Sequence, residues 1–276
     1  MAKRIAYLGP AGTFTEAAAI LYDPEADLIP LSSIAAVAAA VDFDKAEEGV
    51  VPIENSIEGS VTDTLDLLIH DSTLAIRREL VIPIEHCLLV KPGVTMDGIE
   101  SIHSHTQALG QCRHYIEGRF PGAQAVAALS TAAAVEDMMA GPSSAAAIGT
   151  ARAAEIYGAE VLARGIQDNQ ANFTRFVALA HRDHPPTGSD KTSLCFSFSD
   201  DRAGILYNVL GHFATRNINL AKVESRPNKE SLGRYVFLVD LDGHREDPLV
   251  RDALACMEAE VSMLKVFGSY PKYRVS

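Results

Sequence analysis

Five times within the first 150 residues, a short apolar run ends in small hydroxyl or amide residues spaced to cap a helix, and this recurrence constrains the fold more than any other feature. Residues 4–8 read as a strand, Gly9-Pro10-Ala11-Gly12 as a turn, and Thr13 with Glu16 three positions on has the spacing of a reciprocal helix cap. Residues 49–53 read as a buried strand, Glu54-Asn55-Ser56-Ile57-Glu58-Gly59 as a polar loop, and 60–70 as a helix with Leu65, Leu68 and Ile69 on one side. Residues 99–103 lead to Ser104-His105-Thr106-Gln107, 125–129 to Ser130-Thr131, and 144–148 to Gly149-Thr150, each before a further helical stretch. A helix start presents unpaired N–H groups and the positive end of the helix dipole, so each junction suits an anion. In open α/β sheets such junctions gather at the carboxyl ends of the strands, where ligands bind. One cap is only what any helix needs. Five, together with the polar 54–60 loop, point to a site. The expected fold is α/β, with one lobe at 1–77 joined by 163–182, a second lobe at 78–162, and a cleft between them.

The turn after Leu8 has no third glycine of a dinucleotide fingerprint and no Gly-Lys-Ser/Thr of a phosphate loop, which excludes both nucleotide patterns. Residues 181–190 form a polar segment broken by Pro185-Pro186, and 183–190 is assigned as a linker. Beyond it the grammar changes. Strand-like 192–198, helical 203–215, strand-like 217–224 and 232–241, helical 248–257 and strand-like 261–267 give the order βαββαβ, a ferredoxin-like domain over 191–276.

At 276 residues, 47% apolar and 22% charged, the chain can bury two or three cores, and no apolar run approaches the roughly 20 residues of a membrane helix. Gly9-Pro10 ends the first apolar run before a signal core forms, so cytoplasmic residence is expected. The net charge of −12 is uneven: residues 1–187 carry 12 basic against 24 acidic side chains, and 188–276 carry 12 of each. That balance argues against nucleic acid, and it leaves capture of an anionic ligand to local donors. Cys87, Cys112, Cys195 and Cys256 are scattered without Cys-x-x-Cys spacing, so reduced thiols are expected. His103 and His105 lack a third ligand, and no Gly-x-Ser-x-Gly elbow occurs.

Asn172-Phe173-Thr174-Arg175-Phe176 runs into apolar Val177-Ala178-Leu179-Ala180 and reads as a strand entering a core from a loop. Thr174 offers a hydroxyl and Arg175 a forked cation that matches carboxylate geometry, beside the apolar surface of Phe173 and Phe176.

This pentamer, with Tyr7-Leu8-Gly9-Pro10-Ala11-Gly12-Thr13-Phe14-Thr15 and Val51-Pro52-Ile53-Glu54-Asn55-Ser56-Ile57-Glu58-Gly59-Ser60-Val61, resembles the three signatures of prephenate dehydratases. The similarity extends to Ser104-His105-Thr106-Gln107-Ala108-Leu109 and Ser130-Thr131-Ala132. Gly204-Ile205-Leu206-Tyr207 and residues 218–227 resemble the regulatory ACT domain that these enzymes carry. The resemblance implies a periplasmic-binding-protein-like catalytic part that converts prephenate to phenylpyruvate, water and carbon dioxide in phenylalanine synthesis, with no metal or organic cofactor. It also implies inhibition by phenylalanine at the ACT domain, with ACT units paired in a homo-dimer or homo-tetramer. Thr106, Ala203 and Ile205 depart from the proline, proline and alanine usual in the family, and Ile205 enlarges the presumed effector turn.

On this basis Thr174 is expected to contact the ring hydroxyl, with Glu54 the candidate proton source. Arg175, or the helix-start amides near Thr13, would hold the pyruvyl carboxylate. Asn55, Ser56, Gln107 and Thr131 would orient the substrate, with Phe176 beside the departing carboxylate. Effector contacts are expected from Gly204, Ile205, Leu206, Asn219, Leu220, Glu224, Ser225 and Arg226. Arogenate dehydration and a non-catalytic aromatic-acid binding module are the alternatives. A transcription regulator lacks support, because no basic helix is present.

Overall fold

The computed structural model describes residues 2–200, 202–229 and 234–273. The chain forms two compact units, one from Met1–Thr62 with Leu80–Phe176 and the other from Asp63–Glu79 with Val177–Ser276. In order, β1 (Arg4–Leu8), α1 (Phe14–Tyr22), β2 (Asp27–Leu31), α2 (Ile34–Asp42), β3 (Glu48–Asn55) and β4 (Gly59–Ser60) come first. Then α3 (Thr62–Asp66) runs into a π-helical turn at Leu67–Asp71, followed by β5 (Ala75–Pro83) and β6 (Cys87–Val90). Next are β7 (Ser101–His105), α4 (Thr106–Gln111), α5 (Arg113–Arg119), β8 (Gln124–Ala128), α6 (Thr131–Ala140), β9 (Ala145–Gly149), α7 (Ala151–Tyr157), β10 (Glu160–Ala163) and β11 (Phe173–Ala180). The chain ends with β12 (Asp190–Ser197), α8 (Ile205–Ala214), β13 (Leu220–Pro227), β14 (Tyr235–Asp242), α9 (Pro248–Glu258) and β15 (Met263–Pro271).

One sheet has the order β2-β1-β3-β11-β5, with β4 paired to β3, and the division between the units falls inside β5 and β11. A second, entirely within the first unit, has the order β10-β6-β9-β7-β8. Alternate residues of its strands feed two cores. Leu88, Val90, Ala146 and Ile148 face Ile102 and Phe120, whereas Cys87, Leu89, Ala145 and Ala147 face Val135 and Met138 of α6. The alanine-rich α2 lies close on β3: a Cβ added at Gly49 would meet Val37 Cγ1 at 2.6 Å, so only glycine admits that approach.

The third sheet, β13-β14-β12-β15, is antiparallel and belongs to the second unit. Phe196, Leu194, Val239 and Leu241 pack there against Val209 and Phe213 of α8 and Val250 and Met257 of α9. This is the βαββαβ arrangement expected from the sequence. The strand expected at 232–241 is observed as β14, Leu232 and Gly233 lying outside the described residues.

Three local expectations shift for identifiable reasons. The 54–59 loop is a tight hairpin, because Asn55 Oδ1 accepts from the N–H groups of Ile57 and Glu58 while Gly59 takes φ +83°. The helix expected over 60–70 is split between α3 and the π-helical turn, with Leu65, Leu67, Leu68 and Ile69 buried. The strand expected at 99–103 ends two residues later. Ser104 is fully buried and donates to the Ile148 carbonyl at 2.7 Å, so capping of α4 passes to His105.

Candidate active site

Strands β3 and β11 are neighbours, and their side chains alternate across the sheet. Asn55 and Thr174 therefore emerge on one side, Asn55 Nδ2 donating to Thr174 Oγ1 at 2.9 Å. Glu54 and Arg175, each one residue away, emerge on the other and pair at 3.3 Å. Ser56 bonds the two segments together: its hydroxyl donates to the Ala171 carbonyl at 3.1 Å and accepts from Phe173 N at 2.9 Å.

Helix starts supply the facing wall. Thr13 caps α1 by accepting from Glu16 N, as the spacing implies, while Glu16 Oε2 accepts at 2.7 Å from Gly12 N, one residue before the cap residue. Gly12 takes φ +86°, and a Cβ there would come within 3.0 Å of Ala153, so this turn needs glycine twice over. Ser130 caps α6 by accepting from Ala133 N, which brings Thr131 to the same opening. Thr150 caps α7 but does not reach the opening. Its hydroxyl donates to the Gly12 carbonyl at 2.7 Å and braces that turn instead.

The cavity so formed measures about 320 Å³, a size for a small ligand. Of the residues singled out by sequence, Thr13, Asn55, Gln107, Thr131, Thr174 and Phe176 line it. Glu54, Ser56 and Arg175 do not, for the reasons of strand alternation and strand clamping just given. Among the described residues no Lys, Arg, Asp or Glu lines this cavity. An anion there must be held by helix-start N–H groups and neutral donors.

Among the lining residues that carry no sequence signal are His86, inside an apolar stretch, and Gln111, at the end of α4. Asn172, fully buried, connects them to Asn55. Asn172 Oδ1 accepts from Asn55 Nδ2 and Asn172 Nδ2 donates to Gln111 Oε1, both at 2.9 Å, and Gln111 Oε1 lies 3.0 Å from His86 Nε2. Phe14 stands edge-on to the imidazole, with centroids 5.5 Å apart. Burial pushes the His86 pKa below its ordinary value, with the Gln111 bond opposing. Nearby Cys112 is held as a thiol, its pKa pushed up to about 12 by burial and by the Asp168 charge.

The second unit has its own cavity, about 640 Å³, around the turn into α8. Gly204, Ile205 and Leu206 line it as expected, with Arg202, Arg234 and Tyr207. Phe198 and Phe237 form an aromatic wall at 5.6 Å between centroids. Asn219, Leu220, Glu224, Ser225 and Arg226 do not line it. Asn219 turns to Asp242 at 3.3 Å, Glu224 pairs with Lys222, and Arg226 is taken up by Asp66 at 2.7 Å. Leu220 and Ser225 lie on edge strand β13.

Two sheets flanked by capped helices around a neutral cavity, followed by a ferredoxin-like domain with an aromatic pocket, define a small-ligand α/β protein with an appended regulatory-type domain. Residues 5–184 match the prephenate dehydratase family and residues 196–255 the ACT domain, and the chain belongs to the prephenate dehydratase family. It is 44% identical over 274 residues to a bifunctional chorismate mutase/prephenate dehydratase of Aquifex aeolicus, covering 98% of this chain and 74% of that one. It is 38% identical over 283 residues to arogenate dehydratase 1 of Petunia hybrida, covering 97% and 66% respectively. The crystal structure of a prephenate dehydratase from Arthrobacter aurescens in complex with L-Phe superposes with a TM-score of 0.89 at 37% identity, covering 98% of this chain and 90% of that one. The catalytic part accordingly has the periplasmic-binding-protein-like fold of its family.

Proposed function

We propose that the chain catalyses the decarboxylating dehydration of prephenate to phenylpyruvate, water and carbon dioxide in phenylalanine synthesis, acting in the cytoplasm. Phenylalanine is the effector at the ACT domain, and a homo-dimer or homo-tetramer forms through ACT domains. One observation carries the catalytic assignment. Thr174 Oγ1 accepts a hydrogen bond from Asn55, while among the described residues no protein acceptor takes the Thr174 proton. The neutral cavity thus holds an oriented hydroxyl donor on β11, which matches a central demand of this reaction, stabilisation of a departing hydroxide.

In the reaction the bond from the ring to its carboxylate breaks and carbon dioxide leaves. The electron pair enters the ring, and the C–O bond to the hydroxyl breaks as the ring becomes benzenoid. Thr174 gives its hydrogen bond to the leaving oxygen, which takes up a proton from water. A threonine is too weak an acid to surrender its proton outright at neutral pH, so orientation is its contribution. The starts of α1 and α6, at Thr13 and Thr131, hold the pyruvyl carboxylate, and Gln107 and Asn55 orient the ring. Phe176, 2% exposed, provides the drier wall where the ring carboxylate loses hydration and with it the preference for remaining charged. Glu54 and Arg175 take no direct part, because they face the other side of the sheet.

Incubation with prephenate, followed by the ultraviolet absorbance of phenylpyruvate with and without phenylalanine, tests this assignment. Turnover that phenylalanine suppresses is expected. Faster turnover of arogenate would move the assignment to the amino-bearing substrate. No turnover of either, with ligand binding retained, would reduce the cavity to a binding module.

A further inference from the structure

The hydrogen bonds beside Thr174 form one chain whose direction is dictated by the backbone. Ile57 N and Glu58 N both donate to Asn55 Oδ1, at 2.9 and 3.0 Å, so that atom must be the oxygen. Asn55 Nδ2 is therefore the donor, a result repeated by its contact with the Phe173 carbonyl at 3.2 Å. It donates to Asn172 Oδ1, which leaves Asn172 Nδ2 to donate to Gln111 Oε1. Gln111 Oε1 can only accept from His86 Nε2, so the imidazole must carry its proton on Nε2. An independent feature agrees. His86 Nδ1 is buried and has no hydrogen-bond partner, which a bare lone pair tolerates better than an orphaned N–H. The backbone N–H of His86 is tied to Gln167 Oε1 at 3.0 Å, and Phe14 holds the ring face edge-on.

We propose that His86 is a positioning residue for the dehydration: fixed as the Nε2–H tautomer, it anchors the Gln111 and Asn172 amides against which the backbone-oriented Asn55 amide is seated, and so holds Asn55 Nδ2 where it leaves the Thr174 proton for the leaving hydroxyl. The inference rests on the catalytic assignment above for its kinetic consequence, but not for the tautomer. With the proton on Nδ1 instead, the Nε2 lone pair would face Gln111 Oε1, and a rotated Gln111 amide would place its NH₂ against that of Asn172. Asn55 cannot turn to accommodate either, being held by backbone at both ends of its amide. Asn55 keeps its orientation, so the misfit would fall on the Gln111–Asn172 and Asn172–Asn55 contacts and displace the Asn55 amide from its place beside Thr174.

Two measurements on the full-length protein separate this role from a merely structural one. Nitrogen-15 spectra of histidine-labelled protein at pH 8, with the His86 ring assigned from its loss in His86→Gln, are expected to show the Nε2–H tautomer. A ring protonated on Nδ1 would overturn the proposal. Kinetically, His86→Leu removes the donor, and kcat is expected to fall by about tenfold or more with KM within about twofold, as for a group acting only in the transition state. His86→Gln restores an N–H toward Gln111 and is expected to recover most of the lost kcat. Equal kcat in wild type, Leu and Gln variants, or a Gln variant as impaired as Leu while equally stable, would overturn it. If the Leu variant does not fold, the spectrum and the Gln variant still decide. If wild type turns over neither prephenate nor arogenate, the catalytic assignment fails while the spectrum tests the tautomer by itself.

Discussion

The cavity of the first unit and that of the second are built from opposite materials. The first has no formally charged lining among the described residues, and its Asn55 and Gln111 amides are tied to each other through Asn172, Asn55 also to backbone. The second is flanked by Arg202 and Arg234 with Asp200, walled by Phe198 and Phe237, and entered past the left-handed Gly204. Fixed neutral dipoles suit a reaction, since they need no reorganisation as charge develops. Long cationic side chains and aromatic faces suit a ligand that must be held and released, with an ion pair for its carboxylate and area for its ring. Chemistry and response to an effector should therefore be separable by mutation.

The strongest test of that separation is Thr174→Val, which removes the hydroxyl at nearly constant volume. A loss of about 3 kcal/mol of transition-state stabilisation, over a hundredfold in kcat, is expected, with phenylalanine binding by calorimetry unchanged. Near-normal turnover in a folded variant would break the comparison at its first member.

Gly204→Ala probes the other member. Gly204 takes φ +83° at the start of α8, and a Cβ there costs roughly 1–2 kcal/mol of backbone strain. Phenylalanine binding is expected to weaken about tenfold, and prephenate turnover without effector should be unchanged. A parallel loss of basal turnover would mean that the two cavities are not independent.

The same contrast decides what could be read from the sequence. Helix caps are local, so Thr13 with Glu16, Ser130 and Thr150 were readable from spacing alone. The alternation of a strand was readable too, but not which face looks into a cavity. Asn55 and Glu54 are equally polar neighbours, and only the pairing of β3 with β11 sends one in and the other out. His86, Gln111 and Asn172 belong to three separate segments that long-range packing brings together, and no spacing announces such a chain. In the ferredoxin-like domain the element order was readable throughout. Yet Arg226, assigned to the effector from the resemblance, meets Asp66, 160 residues earlier in the chain, a partner no local pattern could supply.

A smaller effect concerns pH. The unfolded His86 imidazole takes its proton near 6.5, and the folded one only at lower pH because burial disfavours the charge. Between those values the unfolded state binds more protons, so stability rises with pH across the interval. The contribution is fully present above about 6.5, is lost as pH falls toward the folded pKa, and is flat below it. Each unit of depression is worth about 1.4 kcal/mol. Urea melts from pH 8 to 5 are expected to show this slope in wild type and a shallower one in His86→Gln. Identical slopes would mean that the buried ring of the first cavity is less isolated from water than its 2% exposure indicates.

The smallest expected effect is the most discriminating. Glu54 is one residue from Asn55, yet it pairs with Arg175 on the other face of the sheet with its side chain 33% exposed. The Arg175 side chain is only 12% exposed, so Glu54→Gln should cost some stability by leaving that charge less well paired, yet leave kcat within about twofold. The pH–rate profile should also keep its shape, because no acid of the cavity has been removed. A tenfold fall in kcat, with the acidic limb of that profile displaced, would show a carboxyl group serving the reaction. The first cavity would then no longer work by neutral dipoles alone, and its contrast with the charged pocket of the second unit would lapse.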